Sequence, residues 1–215
     1  MVLVAAGRGV RAGEEKLWAD IHGRPLIGIT LEAISRAACF DEVVVVCSPR
    51  RHEDMLREAE RAGVGGGRCV AGGERRRDSV ELGTSALHTA VDIVCVHDAA
   101  RPLCPPELFE RVVSAARTTG AATSAVPCVD TIKEIADGHV VRTVPREALV
   151  VVQTPQAFRR DVLRAAQAGS SEDASDECLL VERCGGEIAV IEGDPENRKV
   201  TVAADIAWLR AVISR

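Results

Sequence analysis

The chain begins with a glycine-rich segment whose residues could cradle a phosphate group. Residues 5–13 read Ala-Ala-Gly-Arg-Gly-Val-Arg-Ala-Gly after a short apolar run, and Lys16 follows closely. Glycines let the backbone turn its N–H groups toward a phosphate, while arginine and lysine neutralise its charge. The segment lacks the third glycine of the dinucleotide fingerprint and the Gly-Lys-Ser/Thr of a P-loop. It therefore favours another kind of phosphate site, with a surface turn of solvated arginines as the alternative.

Two later segments have a similar chemical character. Residues 72–80 read Gly-Gly-Glu-Arg-Arg-Arg-Asp-Ser-Val, and the Asp-Ser pair can cap a helix whose free N–H groups favour anions. Residues 94–102 read Val-Cys-Val-His-Asp-Ala-Ala-Arg-Pro, which places charged side chains directly after an apolar run. A solvated arginine face is the alternative for the first segment. A buried Asp98–Arg101 pair that holds a loop is the alternative for the second.

The elements that must position these segments alternate between strands and helices. Short valine-rich runs predict strands at 1–5, 42–47, 67–71, 92–97, 122–127 and 187–192. Helical spacing predicts helices near 25–38, 51–62, 77–89, 105–118, 160–168, 174–184 and 203–214. Such βα units predict an α/β fold with a mostly parallel sheet covered on both faces. Because ligands bind beyond the carboxyl ends of such strands, we expect the three charged segments to meet at that edge.

Residues 131–144 break this alternation. Two β-rich runs flank Asp137-Gly138, which is a strong signal for a two-residue hairpin turn. Because an isolated hairpin is barely stable in water, we expect it to lean on the parent domain or on another subunit. No repeat, linker or low-complexity tract divides the chain. We therefore expect a single domain over 1–215, with a β-arm inserted at 129–147.

The composition excludes several classes of protein. Of the 215 residues, 47% are hydrophobic and 27% are charged, which excludes disorder, and no apolar run approaches the roughly 18 residues of a membrane span. The net charge is −5 and aromatic residues make up 2%, so nucleic acid is not an expected partner. Eight cysteines without a Cys-x-x-Cys motif suit reduced core thiols. Since the N-terminal apolar stretch is too short for a signal peptide, we expect a cytoplasmic protein.

Seven short motifs follow one another along nearly the whole chain. They are Ala-Ala-Gly-Arg-Gly-Val-Arg from residue 5, Gly-Gly-Glu-Arg-Arg-Arg-Asp-Ser-Val from 72, Val-His-Asp-Ala-Ala-Arg-Pro from 96, Asp-Thr-Ile-Lys from 130, Gln-Thr-Pro-Gln-Ala-Phe from 153, Asp-Glu from 176 and Asn-Arg-Lys-Val-Thr from 197. Together they resemble the 2-C-methyl-D-erythritol 4-phosphate cytidylyltransferase family of the non-mevalonate isoprenoid pathway. The resemblance implies a Rossmann-like sheet of the nucleotide-diphospho-sugar transferase type, with a protruding β-hairpin arm that forms a homodimer.

The resemblance also implies an activity and a set of site residues. CTP and the sugar-alcohol phosphate would give 4-diphosphocytidyl-2-C-methyl-D-erythritol and pyrophosphate, with Mg²⁺ as cofactor. The implied catalytic residues are Arg11, Lys16, Lys199 and, from the arm of a partner subunit, Arg146. The implied nucleotide-binding residues are Ala5, Ala6, Gly7, Gly9, Gly73, Glu74, Ser79, Asp98 and Ala99, with Asp98 also at the metal. The residues implied to meet the acceptor phosphate are Arg101, Thr131, Thr154 and Lys199.

The chain departs from the family pattern at three places. Val4 replaces the usual proline before Ala-Ala-Gly, Glu15-Lys16-Leu17 replaces the usual Pro-Lys-Gln after the glycine loop, and Pro145 replaces an acidic residue before Arg146. Two other functions remain as alternatives. One is a ribitol-5-phosphate cytidylyltransferase, which shares the glycine loop and the Asp–Arg-Pro turn. The other is a catalytically weak nucleotide-binding module, which the altered loop motivates.

Overall fold

The structure is a computed structural model that describes residues 1–6, 14–169 and 172–214. Its strands are β1 (Val2–Val4), β2 (Asp20–Ile21), β3 (Arg24–Pro25), β4 (Val44–Cys47), β5 (Arg68–Ala71), β6 (Ile93–Asp98), β7 (Ala121–Pro127), β8 (Ile132–Ala136), β9 (His139–Val144), β10 (Val150–Arg159) and β11 (Ala189–Glu192). Its helices are α1 (Leu26–Ala37), α2 (His52–Arg61), α3 (Arg76–Ala86), α4 (Pro106–Thr119), α5 (Arg160–Gly169), α6 (Glu177–Arg183) and α7 (Ala203–Ile213). The predicted strands and helices are all present, with bounds shifted by a few residues.

Seven strands form the central sheet in the order β11-β7-β10-β6-β1-β4-β5. β1 pairs in parallel with β4 and β6, β4 pairs in parallel with β5, and β11 pairs in parallel with β7. β10 runs antiparallel between β6 and β7. The sheet is therefore mostly parallel, as the alternation of valine-rich and helical segments predicts.

The sequence pattern does not predict β10, which lies in the middle of the sheet. Its run of valines is followed by Gln-Thr-Pro-Gln, and a proline argues against a central strand because it cannot donate to the ladder. The strand accommodates Pro155 because its pairing with β7 shifts register between Val152 and Gln156. The Gln156 amide is buried and donates to Thr123 Oγ1 at 3.2 Å. Pairing with β6 and β7 thus outweighs the local preference of Pro155 against a central strand.

The core forms two layers because successive strand residues point to opposite faces of the sheet. Leu3 and Val45 pack on the side of α1 and α4, and Val2 and Val46 pack on the side of α3. Each of these four side chains is at most 1% exposed. Burial of both faces explains why the central strands read as continuous apolar runs rather than as alternating ones.

The predicted hairpin is present as β8 and β9, and its turn has the predicted residues. Asp137 and Gly138 both have positive φ, 49° and 77°, as a tight two-residue hairpin turn requires. Apolar side chains on and beside this arm are open to solvent: Val129, Ile135, Val140 and Val141 are 57% to 75% exposed. The arm therefore presents an unusual amount of apolar surface for a free hairpin.

None of the eight cysteines, all of which lie among the described residues, forms a disulfide. Cys47, Cys95, Cys104 and Cys178 are buried, as predicted for core thiols. Cys39, Cys69 and Cys128 are half-buried and Cys184 is exposed, so the prediction of core positions holds for only four of the eight. Within the part of the chain that the structure describes, no helix is both long and apolar enough to cross a bilayer.

Gly83 lies where α3 approaches the sheet most closely. A Cβ added there would lie 2.5 Å from Val2 Cγ1 and 2.7 Å from Val46 Cγ2. Both valines are fully buried, so neither methyl group can move aside without disturbing the core.

We predict that Gly83→Ala lowers the free energy of unfolding. Overpacking costs about 1–3 kcal/mol, which outweighs the gain of up to ~1 kcal/mol in helix propensity. Gly65→Ala is the matched control, because a Cβ there meets nothing within 4 Å. Urea unfolding of both variants tests this, and a Gly83→Ala protein as stable as Gly65→Ala would contradict it.

Candidate active site

The first residues after β1, β5 and β6 meet at the carboxyl edge of the sheet because backbone hydrogen bonds continue just past the strand ends. The Ala5 N–H donates to the Val46 carbonyl at 2.8 Å, and the Ala99 N–H donates to the Val4 carbonyl at 3.0 Å. The Gly72 N–H donates to the Cys47 carbonyl at 3.3 Å. The described starts of the three charged segments therefore lie side by side, as expected for an α/β ligand site.

Asp98 ends β6 and lies at the centre of a cluster of cations. Lys199 Nζ donates to its Oδ2 at 2.7 Å, and Arg76 donates to its Oδ1 from Nη2 at 3.3 Å and from Nε at 3.4 Å. Arg101 Nε lies 4.0 Å from Oδ2. Three residues from three segments thus surround one carboxylate, which is 9% exposed.

The electrostatics of this cluster keep Asp98 ionised. Burial alone would raise its pKa, but the charges of Arg76 and Lys199 outweigh burial and hold the pKa well below its usual range. The charges of Lys199 and Asp98 also act on Lys16. Burial lowers the pKa of Lys16, the Lys199 ammonium lowers it further, and Asp98 opposes both effects. The edge therefore carries more positive than negative charge, although the whole chain is acidic.

Thr154 and His97 form a hydrogen-bonded chain that ends at the Asp98 backbone. The Asp98 N–H donates to Thr154 Oγ1 at 3.0 Å, and that hydroxyl lies 3.1 Å from His97 Nδ1. His97 Nε2 lies 3.3 Å from the Arg101 carbonyl, which can only accept, so Nε2 carries the proton and Thr154 donates to Nδ1. Burial lowers the pKa of His97 to about 4, and the ring packs edge-on to Phe109. His97 is therefore neutral near pH 7 and has a structural role.

Asn197 ties three segments of the site together. Its Nδ2 donates to the Thr154 carbonyl at 2.9 Å and to Gln153 Oε1 at 3.2 Å. Its own carbonyl accepts from Arg101 Nη1 at 2.8 Å. The Val200 N–H then donates to the Ala100 carbonyl at 2.8 Å. These bonds fix the 197–200 segment, and with it the backbone of Lys199, against the end of β6.

The 72–80 segment packs tightly against the first strand. A Cβ on Gly72 would lie 2.2 Å from Ala6 Cβ, so only glycine fits there. The Gly73 N–H donates to Ser79 Oγ at 3.0 Å, and Ser79 is buried. The expectation of a helix cap holds for Asp78, whose Oδ2 accepts the Arg75 N–H at 3.0 Å. Ser79 lies inside the first turn of α3 instead, where its hydroxyl donates to the Arg75 carbonyl.

Of the remaining predicted site residues, those that the structure describes do not join the Asp98 cluster. Gly7, Gly9 and Arg11 lie outside the described residues. Glu74 is exposed near the start of α3. Thr131 and Arg146 lie exposed at the base of the arm, where Arg146 donates to the Val129 carbonyl. Among the described residues, no hydrogen bond or ion pair joins either of them to Asp98, and their predicted roles stay predictions.

Arg76 belongs to the charged 72–80 segment that was expected at this edge, whereas Glu177 was not among the predicted site residues. Arg76 bridges Asp98 and Glu177, which accepts from Arg76 Nη1 at 2.7 Å and is 1% exposed. Both residues lie in the motifs of the sequence, but Glu177 is 101 positions from Arg76, and no local pattern pairs residues at that distance. The unbroken arginine run 75–77 resembled a solvated face, which describes Arg75 but not its two neighbours.

Asp98 is the candidate metal ligand, and its surroundings limit the kind of ion it could hold. Within the described ranges, no three histidine, cysteine or acidic side chains converge on one point. Mg²⁺ often binds through one or two carboxylates while substrate phosphates and waters complete its shell. A single ionised carboxylate among cations therefore fits an ion that arrives with a polyphosphate, and does not fit an all-protein metal cage.

Comparison with known proteins agrees with this geometry. The family model "IspD: 2-C-methyl-D-erythritol 4-phosphate cytidylyltransferase" matches residues 1–215. A relative of that name from Frankia casuarinae is 42% identical over 100% of this chain and 80% of its own length. Another of that name from Pelotomaculum thermopropionicum is 41% identical over 99% of this chain and 92% of its own length.

A solved structure extends the match to three dimensions. The crystal structure of 4-diphosphocytidyl-2C-methyl-D-erythritol synthase from Anaerococcus prevotii superposes with a TM-score of 0.88 at 30% identity. The superposition covers 100% of this chain and 97% of that one. Fold, site and sequence lead to one conclusion: the chain belongs to the 2-C-methyl-D-erythritol 4-phosphate cytidylyltransferase family.

Proposed function

We propose that the protein transfers the cytidylyl group of CTP to 2-C-methyl-D-erythritol 4-phosphate at the Asp98 edge of the sheet. The observation that carries this proposal is the cluster itself: a buried carboxylate held by Arg76, Arg101 and Lys199, with Lys16 in the same field. Family membership favours this acceptor over ribitol 5-phosphate, and favours an enzyme over a binding module without activity.

The reaction needs charge neutralisation and alignment more than a protein nucleophile. The acceptor phosphate is already anionic, so one of its oxygens can attack the α-phosphorus of CTP while the bond to the bridging oxygen of pyrophosphate breaks. Two polyanions repel each other strongly at such distances, and fixed cations remove that obstacle. We assign Lys16, together with Arg11, to the α-phosphate and the departing pyrophosphate, and Lys199 and Arg101 to the acceptor phosphate.

The remaining residues have positioning and binding roles in this proposal. Ala5, Ala6, Gly7, Gly9, Gly73, Glu74, Ser79 and Ala99 surround the nucleotide. Asp98 holds Mg²⁺, which would neutralise phosphate charge when bound. Thr131 and Thr154 contribute to the acceptor site, although the Thr154 hydroxyl is already engaged by His97 and by the Asp98 N–H.

We further propose a homodimer in which the 129–147 arm of one subunit inserts Arg146 into the site of its partner. The exposed apolar residues of the arm support this arrangement, because such surface is normally covered in the working assembly. Eight cysteines without a disulfide suit a reducing compartment such as the cytoplasm, where we propose that the enzyme acts as one domain over 1–215.

The acceptor assay tests the function directly. With CTP and Mg²⁺, we expect pyrophosphate release with 2-C-methyl-D-erythritol 4-phosphate, and a kcat/KM at least about 100-fold lower with ribitol 5-phosphate. A coupled pyrophosphate assay measures both. Turnover with ribitol 5-phosphate alone, or CTP binding without any turnover, would contradict the proposal.

Lys16→Ala tests the charge argument. We expect kcat/KM to fall about 10²–10³-fold, because a fixed cation that stabilises transition-state charge is lost. The free energy of unfolding should change by no more than about 0.5 kcal/mol, as for other partly exposed side chains. Arg36→Ala removes an exposed cation on α1 and serves as the control. Near-normal turnover in Lys16→Ala would remove Lys16 from the mechanism.

Mixed dimers test the arm. Lys16→Ala and Arg146→Ala subunits should each be nearly inactive alone, while an equimolar mixture should regain about a quarter of wild-type activity, because half the dimers are heterodimers with one complete site. Sedimentation must show intact dimers in every sample. Dimers that gain no activity on mixing would place Arg146 outside the partner's site.

A further inference from the structure

Glu177 is a buried carboxylate to which the proposed reaction gives no task. It begins α6, it is 1% exposed, and its Oε2 accepts from Arg76 Nη1 at 2.7 Å. Burial raises the pKa of Glu177, and the Arg76 charge opposes that rise. Burying such a pair stabilises a fold less than well-packed apolar side chains would. A role in the neighbouring site explains its presence better than stability does.

Arg76 divides its guanidinium between two carboxylates. Nη1 reaches Glu177 at 2.7 Å, whereas Nη2 and Nε lie 3.3 Å and 3.4 Å from Asp98 Oδ1. Glu177 is therefore the closer partner, and Asp98 receives the longer contacts. A planar guanidinium serves the two acceptors in this way because its donors lie on separate nitrogens in a rigid fork. The second oxygen of Asp98 is held at 2.7 Å by Lys199.

The start of α6 is anchored, so Glu177 has a fixed position. Asp176 caps the helix by accepting the Leu179 N–H at 3.1 Å, and it also accepts from Gln156 Nε2 at 2.7 Å. Gln156 belongs to β10 and is fully buried. The next residue of α3, Arg77, donates to the Gln167 carbonyl at 3.2 Å. The sheet, α3 and the α5–α6 region thus hold Glu177 in place relative to Arg76.

We propose that Glu177 is a positioning residue: its carboxylate draws Arg76 back from Asp98, so that Asp98 keeps an oxygen available for the nucleotide side of the reaction. Without the Glu177 charge, Arg76 would pair with Asp98 alone and close on Oδ1 with short hydrogen bonds. The Mg²⁺ that would arrive with CTP would then have to displace Arg76 from Oδ1. This inference rests on the proposed function, because it takes Asp98 to face the nucleotide.

Glu177→Gln is the primary variant, since glutamine keeps the size and an acceptor oxygen but removes the charge. We expect the Kd of CTP, measured by calorimetry with Mg²⁺ and without acceptor, to rise about 10-fold, with kcat and the KM of the acceptor changed less than about threefold. Glu58→Gln is the matched control. Glu58 is also buried and paired, accepting from Arg61 Nη1 at 2.6 Å, but it lies on α2, away from the site.

A double-mutant cycle separates positioning from a general structural effect. In an Arg76→Gln background, Glu177→Gln should cause no further loss of CTP affinity, because Glu177 acts through Arg76. Arg76→Lys gives a second route should Glu177→Gln not fold. Lysine lacks the rigid fork that places separate nitrogens at the two carboxylates, so it should not hold the same divided geometry, and the Kd of CTP should again rise about 10-fold.

A crystal structure of Glu177→Gln provides a readout that does not depend on turnover. We expect Arg76 to approach Asp98 Oδ1 more closely than in the wild type. Unchanged Arg76 geometry, a Kd of CTP equal to that of the Glu58→Gln control, or additive losses in the cycle would overturn the inference. If the wild type itself binds no CTP, the proposed function fails, while the crystal structure still decides whether Glu177 sets the position of Arg76.

Discussion

A buried carboxylate must have cations around it, and this requirement at Asp98 organises the site. β6, which ends at Asp98, lies between β10 and β1 in the sheet, and the Asp98 side chain is only 9% exposed. Arg76, Lys199 and Arg101 reach it from three separate stretches of chain. Each of those stretches needs its own support. The hydrogen bonds of Asn197 and the ion pair with Glu177 supply that support.

The cations around Asp98 have two tasks, which are to compensate its charge and to bind a phosphate. Cations that merely compensated for Asp98 would be occupied and unable to help a phosphate. Here Lys199 is partly exposed and singly bonded to Asp98, so a phosphate can attract it. Arg101 and Arg76, by contrast, are tied to further carbonyl or carboxylate groups. Lys199 is the more exposed of the three cations, and Arg76 and Arg101 are more deeply buried.

The fold was largely readable from the sequence, and the places where it was not have physical causes. Valine runs separated by helical periodicity predicted the parallel strands, because burial on both sheet faces leaves a strong local signature. Asp137-Gly138 predicted the hairpin turn, since positive φ at both positions restricts the residue types. β10 escaped prediction because its proline and glutamines are tolerated only through a register shift and a buried amide contact.

The site was readable in part for a related reason. Asp98, Arg101 and Lys199 were predicted from motifs and lie together in the structure. Arg76 was expected there as part of the charged 72–80 segment, but Glu177 was not, because its importance comes from a contact between residues far apart in the chain. The partner of a buried charge is set by packing, and packing leaves little trace in local spacing.

β10 has a further consequence, because it connects the arm to the centre of the sheet. Its first residues, Val150–Val152, are exposed beside the arm, and two residues later Thr154 is buried and accepts the Asp98 N–H. Val150–Val152 pair with β7, and pairing with β6 begins only at Gln156, after the register shift. A molecule that binds the arm and moves the start of β10 would therefore reach Asp98 through Thr154, at the irregular part of the strand.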